Sequence, residues 1–244
     1  MTRDTKVIRA CLFDMDGLLI NTEDIYTETQ NELLSRYGKG PITWDIKVQL
    51  QGLPGPEAAT KVIKKYDLPL DLIQYEQEAV EIQTARWGTS AFLPGAKELL
   101  HFLKKEQHLP IVLCTSSGKA KYLSKTDHLR EDFDLFDAII TGCDSRIPKG
   151  KGKPAPDIYQ LGLAELNAKF HKDGKDLIKP EECLVFEDGV AGVLAGVSFG
   201  GYVIWCPHPE AADHLPTPES IMYEQGEKVD TLNHLDKSKF RFQH

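Results

Sequence analysis

The sequence predicts an α/β protein, a parallel sheet covered by helices, with an all-helical unit inserted after the first strand. Short apolar runs recur at residues 7–13, 111–114, 138–141, 183–186 and 202–205. Their lack of a polar face suits strands buried on both sides, as parallel strands are. Helical periodicity fills 96–105, 155–170 and 190–199, the spacing of strand–helix–strand crossovers. From residue 23 to about 92 the alternation stops, and only helix-like stretches remain.

In chain order, the first strand (7–13) runs into Asp14. Helices are then predicted over 23–37, 43–50, 56–66 and 71–87, separated by Gly38, Gly40 and Pro41, by the Gly- and Pro-rich loop 52–56, and by Leu68–Pro69. Such breakers end helices because glycine is too free and proline lacks the N–H. The core domain is therefore expected over 1–21 and 94–244, and the helical unit over 22–93. The two crossings fall near 20–23 and 92–95.

The chain has 244 residues, 41% hydrophobic and 27% charged, which excludes a disordered, collagenous or coiled-coil architecture. Twenty-nine Lys and Arg against 37 Asp and Glu give a net charge of −8. That balance argues against a nucleic-acid polymer as partner. It leaves room for one small phosphorylated ligand held by a few local cations. Five scattered cysteines with no CxxC spacing read as reduced, mostly buried thiols. No apolar stretch approaches the ~20 residues of a membrane span, and the charged N-terminus lacks a signal-peptide core. The expectation is a cytoplasmic monomer.

Ligands of open parallel sheets bind beyond the carboxyl ends of the strands. Asp14, Met15, Asp16 and Gly17 follow the first strand; Thr115, Ser116 and Ser117 follow the second. The loop after the third carries Lys149, Lys151 and Lys153, and Glu187, Asp188 and Gly189 follow the fourth. Singly, these are ordinary turn and cap residues. Together they bring carboxylates from two strands, a hydroxyl cluster and lysine to one edge, a set suited to a hard, oxygen-ligated cation and a phosphate. The Walker pattern, a GxGxxG start and HExxH are all missing.

Four strings in order resemble the motifs of the haloacid-dehalogenase-like superfamily: Phe-Asp-Met-Asp-Gly-Leu-Leu at 13–19, Leu-Cys-Thr-Ser-Ser at 113–117, Gly-Lys-Pro-Ala-Pro-Asp-Ile-Tyr at 152–159 and Val-Phe-Glu-Asp-Gly-Val-Ala-Gly at 185–192. The helical insert resembles the C1 cap of the β-phosphoglucomutase-like branch. Within that branch, Trp44–Asp45 and Cys-Leu-Val-Phe-Glu-Asp at 183–188 are similar to the pseudouridine-5′-phosphatase group and its fungal relatives.

The resemblance implies a Rossmann-like core, a Mg2+ cofactor and phosphatase chemistry on a small metabolite. It assigns Asp14 as nucleophile and Asp16 as general acid and base. Asp14, the Asp16 backbone carbonyl and Asp188 would hold Mg2+, with Glu187 one step behind. Thr115, Ser116 and the neighbouring N–H would take the phosphoryl oxygens. Lys153, which directly precedes the proline of the third motif, would offset about 4 kcal/mol of repulsion per charge pair at 4 Å.

Alternatives are a phosphomutase and a protein that binds phosphometabolites without turnover. A mutase of this branch carries an arginine in the cap loop, and Gly55 stands there instead, with no arginine between Arg36 and Arg86. The cap would choose the leaving group, a nucleotide such as pseudouridine 5′-phosphate or a sugar phosphate. Thr22, Tyr26, Gln49 and Gln51 are its candidate contacts. Trp44 and Trp87, also available to stack on a base, are expected in the cap core.

Overall fold

The computed structural model describes residues 5–51, 53 and 55–243. Its main sheet has six parallel strands in the order β4 (Ala138–Thr141), β3 (Ile111–Thr115), β2 (Ala10–Phe13), β5 (Cys183–Glu187), β6 (Tyr202–Trp205) and β7 (Gly226–Lys228). The chain builds leftward from β2 to β3 and β4, then returns to the other side of β2 with β5. The switch point, where ligands bind in such sheets, therefore lies between β2 and β5.

Alternate residues of these strands feed two cores, because strand side chains point to opposite faces. Cys11, Phe13, Leu113, Leu184 and Phe186 face α5 (Ala96–His101), the segment around α7 (Arg130–Phe133) and the C-terminal turns. Leu12, Val112, Cys114, Val185, Val203 and Trp205 face α8 (Asp157–Lys172) and α9 (Val190–Phe199). Phe13 and Phe186, paired across β2 and β5, stack with centroids 4.3 Å apart. α9 ends where Gly200 turns to φ +94°, the left-handed conformation that closes helices.

Between the first two strands of the main sheet lie α1 (Thr22–Arg36), α2 (Trp44–Lys47), α3 (Gly55–Tyr66) and α4 (Leu72–Arg86). They bury a core of their own, including Leu33, Leu34, Ile46, Val62, Tyr75 and Ile82. α4 opens with a capping box in which Asp71 and Gln74 exchange hydrogen bonds. The two crossings to these helices run side by side. Ile20 bridges Phe92, the Asn21 N–H donates to Ala91 O at 3.0 Å, and Asn21 Oδ1 accepts from Ala91 N–H at 2.8 Å.

The first run is two strands rather than one. The chain breaks at Arg9, whose guanidinium reaches out to Asp176 O and Leu177 O. β1 (Lys6–Ile8) instead pairs with β8 (Phe240–Phe242) in a separate two-stranded sheet. β7 and β8 were unreadable because three-residue strands carrying Glu227, Lys228 and Arg241 lack a buried apolar run. The helix predicted over 43–50 stops at Lys47, where N–H groups of Gln49 and Leu50 bond three residues back and tighten the last turn. The helix predicted over 96–105 widens into a π turn over Phe102–Glu106. α6 (Lys119–Thr126) follows β3, and α10 (Pro218–Met222) precedes β7.

All five cysteines are free. No helix among the described residues is long and apolar enough to cross a membrane. Because Phe186 is fully buried against Phe13, Phe186→Ala should cost about 3–5 kcal/mol of stability. In urea denaturation this appears as a lowered midpoint with an unchanged m-value.

Candidate active site

Strand register assembles the site. Phe13 pairs with Leu113 on one side and Phe186 on the other, so Asp14 leaves β2 level with Cys114 and Glu187. The Asp14 N–H donates to Phe186 O at 3.0 Å, extending the ladder by one residue. Oxygens of Asp14, Glu187 and Asp188 lie within 4.8 Å of one another, and all three residues are buried. Gly17 allows this closeness: at φ +75° it turns the chain back, and a Cβ there would lie 2.4 Å from Asp188 Oδ2. At the start of α9, a Cβ on Gly192 would stand 2.0 Å from the Glu187 carboxyl.

Of the three lysines after β4, Lys149 and Lys151 are exposed and Lys153 is buried. Lys153 Nζ lies 2.5 Å from Asp14 Oδ1 and 2.7 Å from Glu187 Oε1, and donates to Cys114 O at 3.0 Å. Glu187 also accepts from the Tyr159 hydroxyl, which α8 supplies beneath the sheet end. One ammonium against three carboxylates leaves the cluster short of positive charge. Burial lifts Asp14 to about 7 against the pull of Lys153. Burial and the Asp14 charge push Asp188 well above the carboxylate range. A set of oxygen donors carrying surplus negative charge fits a hard divalent cation. Glu187 lies within this cluster.

Asp16 faces another way. Its Oδ1 accepts from Thr22 Oγ1 at 2.7 Å and from Lys125 Nζ at 2.5 Å, and its Oδ2 accepts from Ser117 Oγ at 2.7 Å. Burial would raise this carboxyl, but Lys125 and the two hydroxyls outweigh it and hold Asp16 below the usual range. Two carboxylates two residues apart thus carry opposite shifts, set by environment alone. Thr115 is fully buried, and its hydroxyl accepts from the Ser117 N–H at 3.0 Å. Ser116, by contrast, lines a small cavity of about 70 Å³ together with Asp14, Asp16, Lys153 and Asp188.

That cavity adjoins a cleft of about 780 Å³ between core and inserted helices; Asp16, Glu23, Gln51 and Ser116 line both. Among the predicted contacts, Gln51 Nε2 stands 3.4 Å from Asp188 Oδ2 and Tyr26 lines the cleft. Gln49 is exposed and bonds back to Asp45 O. Trp44 is not in the helical core. It is half-exposed, stacks on His208 and donates to Glu210 at 2.6 Å, because α2 rests on the core turn Pro209–His214. Trp87 is buried, but its ring packs on Tyr26 and Lys125 rather than in the helices' own core.

Sequence reasoning missed Lys125, Lys47 and Tyr159. Lys125 sits among Lys119 and Lys121 on a helix, where a lysine reads as solvated, yet it is 0% exposed. Lys47, 3% exposed, pairs with Glu23 at 3.4 Å at the cleft mouth. A single sequence carries no signal separating these buried lysines from exposed ones.

Since burial and the charges of Asp14, Glu23 and Glu187 outweigh the pull of Lys153 on Asp188, Asp188→Asn should melt above the unsubstituted protein in EDTA. Added Mg2+ should stabilise the unsubstituted protein, by about 2.7 kcal/mol at a hundred times Kd, and leave Asp188→Asn unmoved. Differential scanning calorimetry checks both signs.

Comparison with known proteins agrees with this geometry. Residues 8–200 match the sequence profile of the haloacid dehalogenase-like hydrolases. A Saccharomyces cerevisiae protein designated a probable pseudouridine-5′-phosphatase is 58% identical over 96% of this chain and 97% of its own length. The Arabidopsis thaliana (DL)-glycerol-3-phosphatase 2 is 34% identical over 81% of this chain and 79% of its own. In fold, the chain superposes on the β-phosphoglucomutase of Clostridium difficile with a TM-score of 0.68 at 21% identity, covering 95% of both chains. The chain therefore belongs to the haloacid dehalogenase-like hydrolase family, among that family's phosphatases.

Proposed function

We propose that the chain is a Mg2+-dependent phosphomonoesterase that works through a phosphorylated Asp14. The observation that carries this reading is the meeting of Asp14, Glu187, Asp188 and Lys153 at one sheet edge, with Asp16 alongside. Asp14, Asp188 and the Asp16 backbone carbonyl would hold Mg2+, with Glu187 adjoining. Once bound, the ion offsets the negative charge of carboxylates and phosphoryl group.

An Asp14 oxygen attacks phosphorus, and the bond from phosphorus to the leaving oxygen breaks. Asp16, entering this step in its protonated form, gives that oxygen its proton and is left as the carboxylate. Water then attacks the aspartyl-phosphate, Asp16 takes a proton from it, and inorganic phosphate departs as the bond to Asp14 breaks. Lys153 holds the charge on Asp14 throughout. Ser116 and the N–H groups at the end of β3 cradle the phosphoryl oxygens, and the Thr115 hydroxyl braces that turn.

Residues 22–93 act as a cap that selects the leaving group. The cleft volume lies within the ~300–1,000 Å³ usual for small-molecule sites. Its cap wall presents the Gln30 amide, whose Oε1 is buried without a partner, together with Tyr75 and Gln83, and carries Glu23, Lys47 and Glu76 as well. The two amides suit the carbonyl and N–H edges of a nucleoside. Together with the likeness to the yeast relative, this supports a nucleoside 5′-monophosphate such as pseudouridine 5′-phosphate as substrate.

Phosphate release from p-nitrophenyl phosphate should require Mg2+, stop with EDTA and fall about 10⁴-fold or more in Asp14→Asn, the scale of losing a nucleophile. In a panel of nucleotides, sugar phosphates and polyol phosphates, kcat/KM should be highest for nucleoside monophosphates. Conversion of glucose 1-phosphate to glucose 6-phosphate without phosphate release would replace this reading with a mutase.

A further inference from the structure

Lys125 lies outside every motif, yet it is the most completely buried cation among the described residues. Removing an ammonium from water is costly unless its protons are satisfied. Here each proton has an acceptor: Asp16 Oδ1 at 2.5 Å, the Tyr26 hydroxyl at 3.0 Å and Ser117 Oγ at 3.1 Å. Two aromatic faces close the rest of the shell, Tyr26 at 4.8 Å and Trp87 at 4.6 Å from ring centroid to Nζ.

The origin of these partners is informative. Tyr26 belongs to α1, just after the chain enters the inserted helices; Trp87 follows α4, just before the chain leaves them. Their rings touch edge to face at 5.1 Å. Lys125 and Ser117 come from the core, on α6 and the turn before it. The return crossing is tied to the same helix, since Ser90 Oγ donates to Lys125 O at 2.6 Å. The ammonium is therefore boxed by one ring from each end of the inserted helices while it grips the Asp16 carboxylate.

We propose that Lys125 is a positioning residue that aims the Asp16 carboxylate and makes that aim depend on the inserted helices being docked through Tyr26 and Trp87. The inference rests on the reading of Asp16 as proton donor to the leaving oxygen. Lys125 touches no reacting atom; it acts by fixing where Asp16 points, and a misplacement of about 1 Å can cost 10²-fold in rate. Shifting either ring opens the box to water and loosens the Lys125 bond among those that orient Asp16.

The test is leaving-group selectivity in the first turnover. p-Nitrophenolate departs without a proton, whereas the alkoxide of glycerol or a nucleoside needs one. Rapid-quench release of alcohol from each substrate isolates the step in which Asp16 is the donor. Asp16→Asn is the control and should slow alkyl phosphates at least 10²-fold more than p-nitrophenyl phosphate. Lys125→Met should reproduce that split within about tenfold, with KM for both substrates nearly unchanged. Trp87→Leu, which contacts neither Asp16 nor substrate, should give a smaller split of the same sign.

Equal losses on both substrates in Lys125→Met, or no loss, overturn the positioning role. A normal split in Lys125→Met with none in Trp87→Leu overturns the dependence on the docked helices. If Asp16→Asn itself shows no selectivity, the acid–base reading falls and takes this inference with it. Should Lys125→Met fail to fold, by circular dichroism, Trp87→Leu and Tyr26→Phe carry the same comparison.

Discussion

The pairing of β2 with β5 places like charges where chemistry would otherwise forbid them. Asp14 and Glu187 leave adjacent strands level with one another, and Asp188 follows one residue on. Three buried carboxylates in such contact repel strongly in a poorly screened interior. Lys153 answers part of that repulsion by touching Asp14 and Glu187 together. Much of the neighbourhood follows: a lysine reaching inward from the loop after β4, a tyrosine under Glu187, and glycines at 17 and 192 where a Cβ would strike a carboxylate. The remaining negative charge fits the site to a divalent cation.

The two acidic residues of the first motif divide labour through their surroundings. Asp14 sits in the sheet edge among carboxylates, and burial raises it to about 7. Asp16, two residues later, has swung toward the crossings and is held down by Lys125, Thr22 and Ser117. The carboxylate form so favoured is the one that accepts a proton from water in the second half of the proposed reaction. Its partners come from both the core and the first residue of α1, so the inserted helices reach the chemistry through Asp16 as well as through Gln51 at Asp188.

Parts of this arrangement were legible in the residues. The runs at 111–114, 138–141, 183–186 and 202–205 became strands because uninterrupted apolar residues favour burial on both faces, although the edge strand β4 leaves Ile139 exposed. Strand ends then located Asp14, Asp16, Glu187 and Asp188, and the proline after Lys153 distinguished it from Lys149 and Lys151. What escaped reading had no local signature. β7 and β8 exist only because a neighbouring strand offers them hydrogen bonds. Trp44 left the helical core for His208 and Glu210, partners more than 160 residues away in the chain.

Hydrophobic periodicity and the residues at strand ends, both properties of contiguous sequence, determined the α/β class, the helical insert and the carboxylate set. Tertiary structure alone decided the orientation of those carboxylates and the fate of the lysines. A lysine's environment is made by segments distant in sequence: Lys125 is enclosed by Tyr26, Trp87 and Asp16, and only folding brings the three around it.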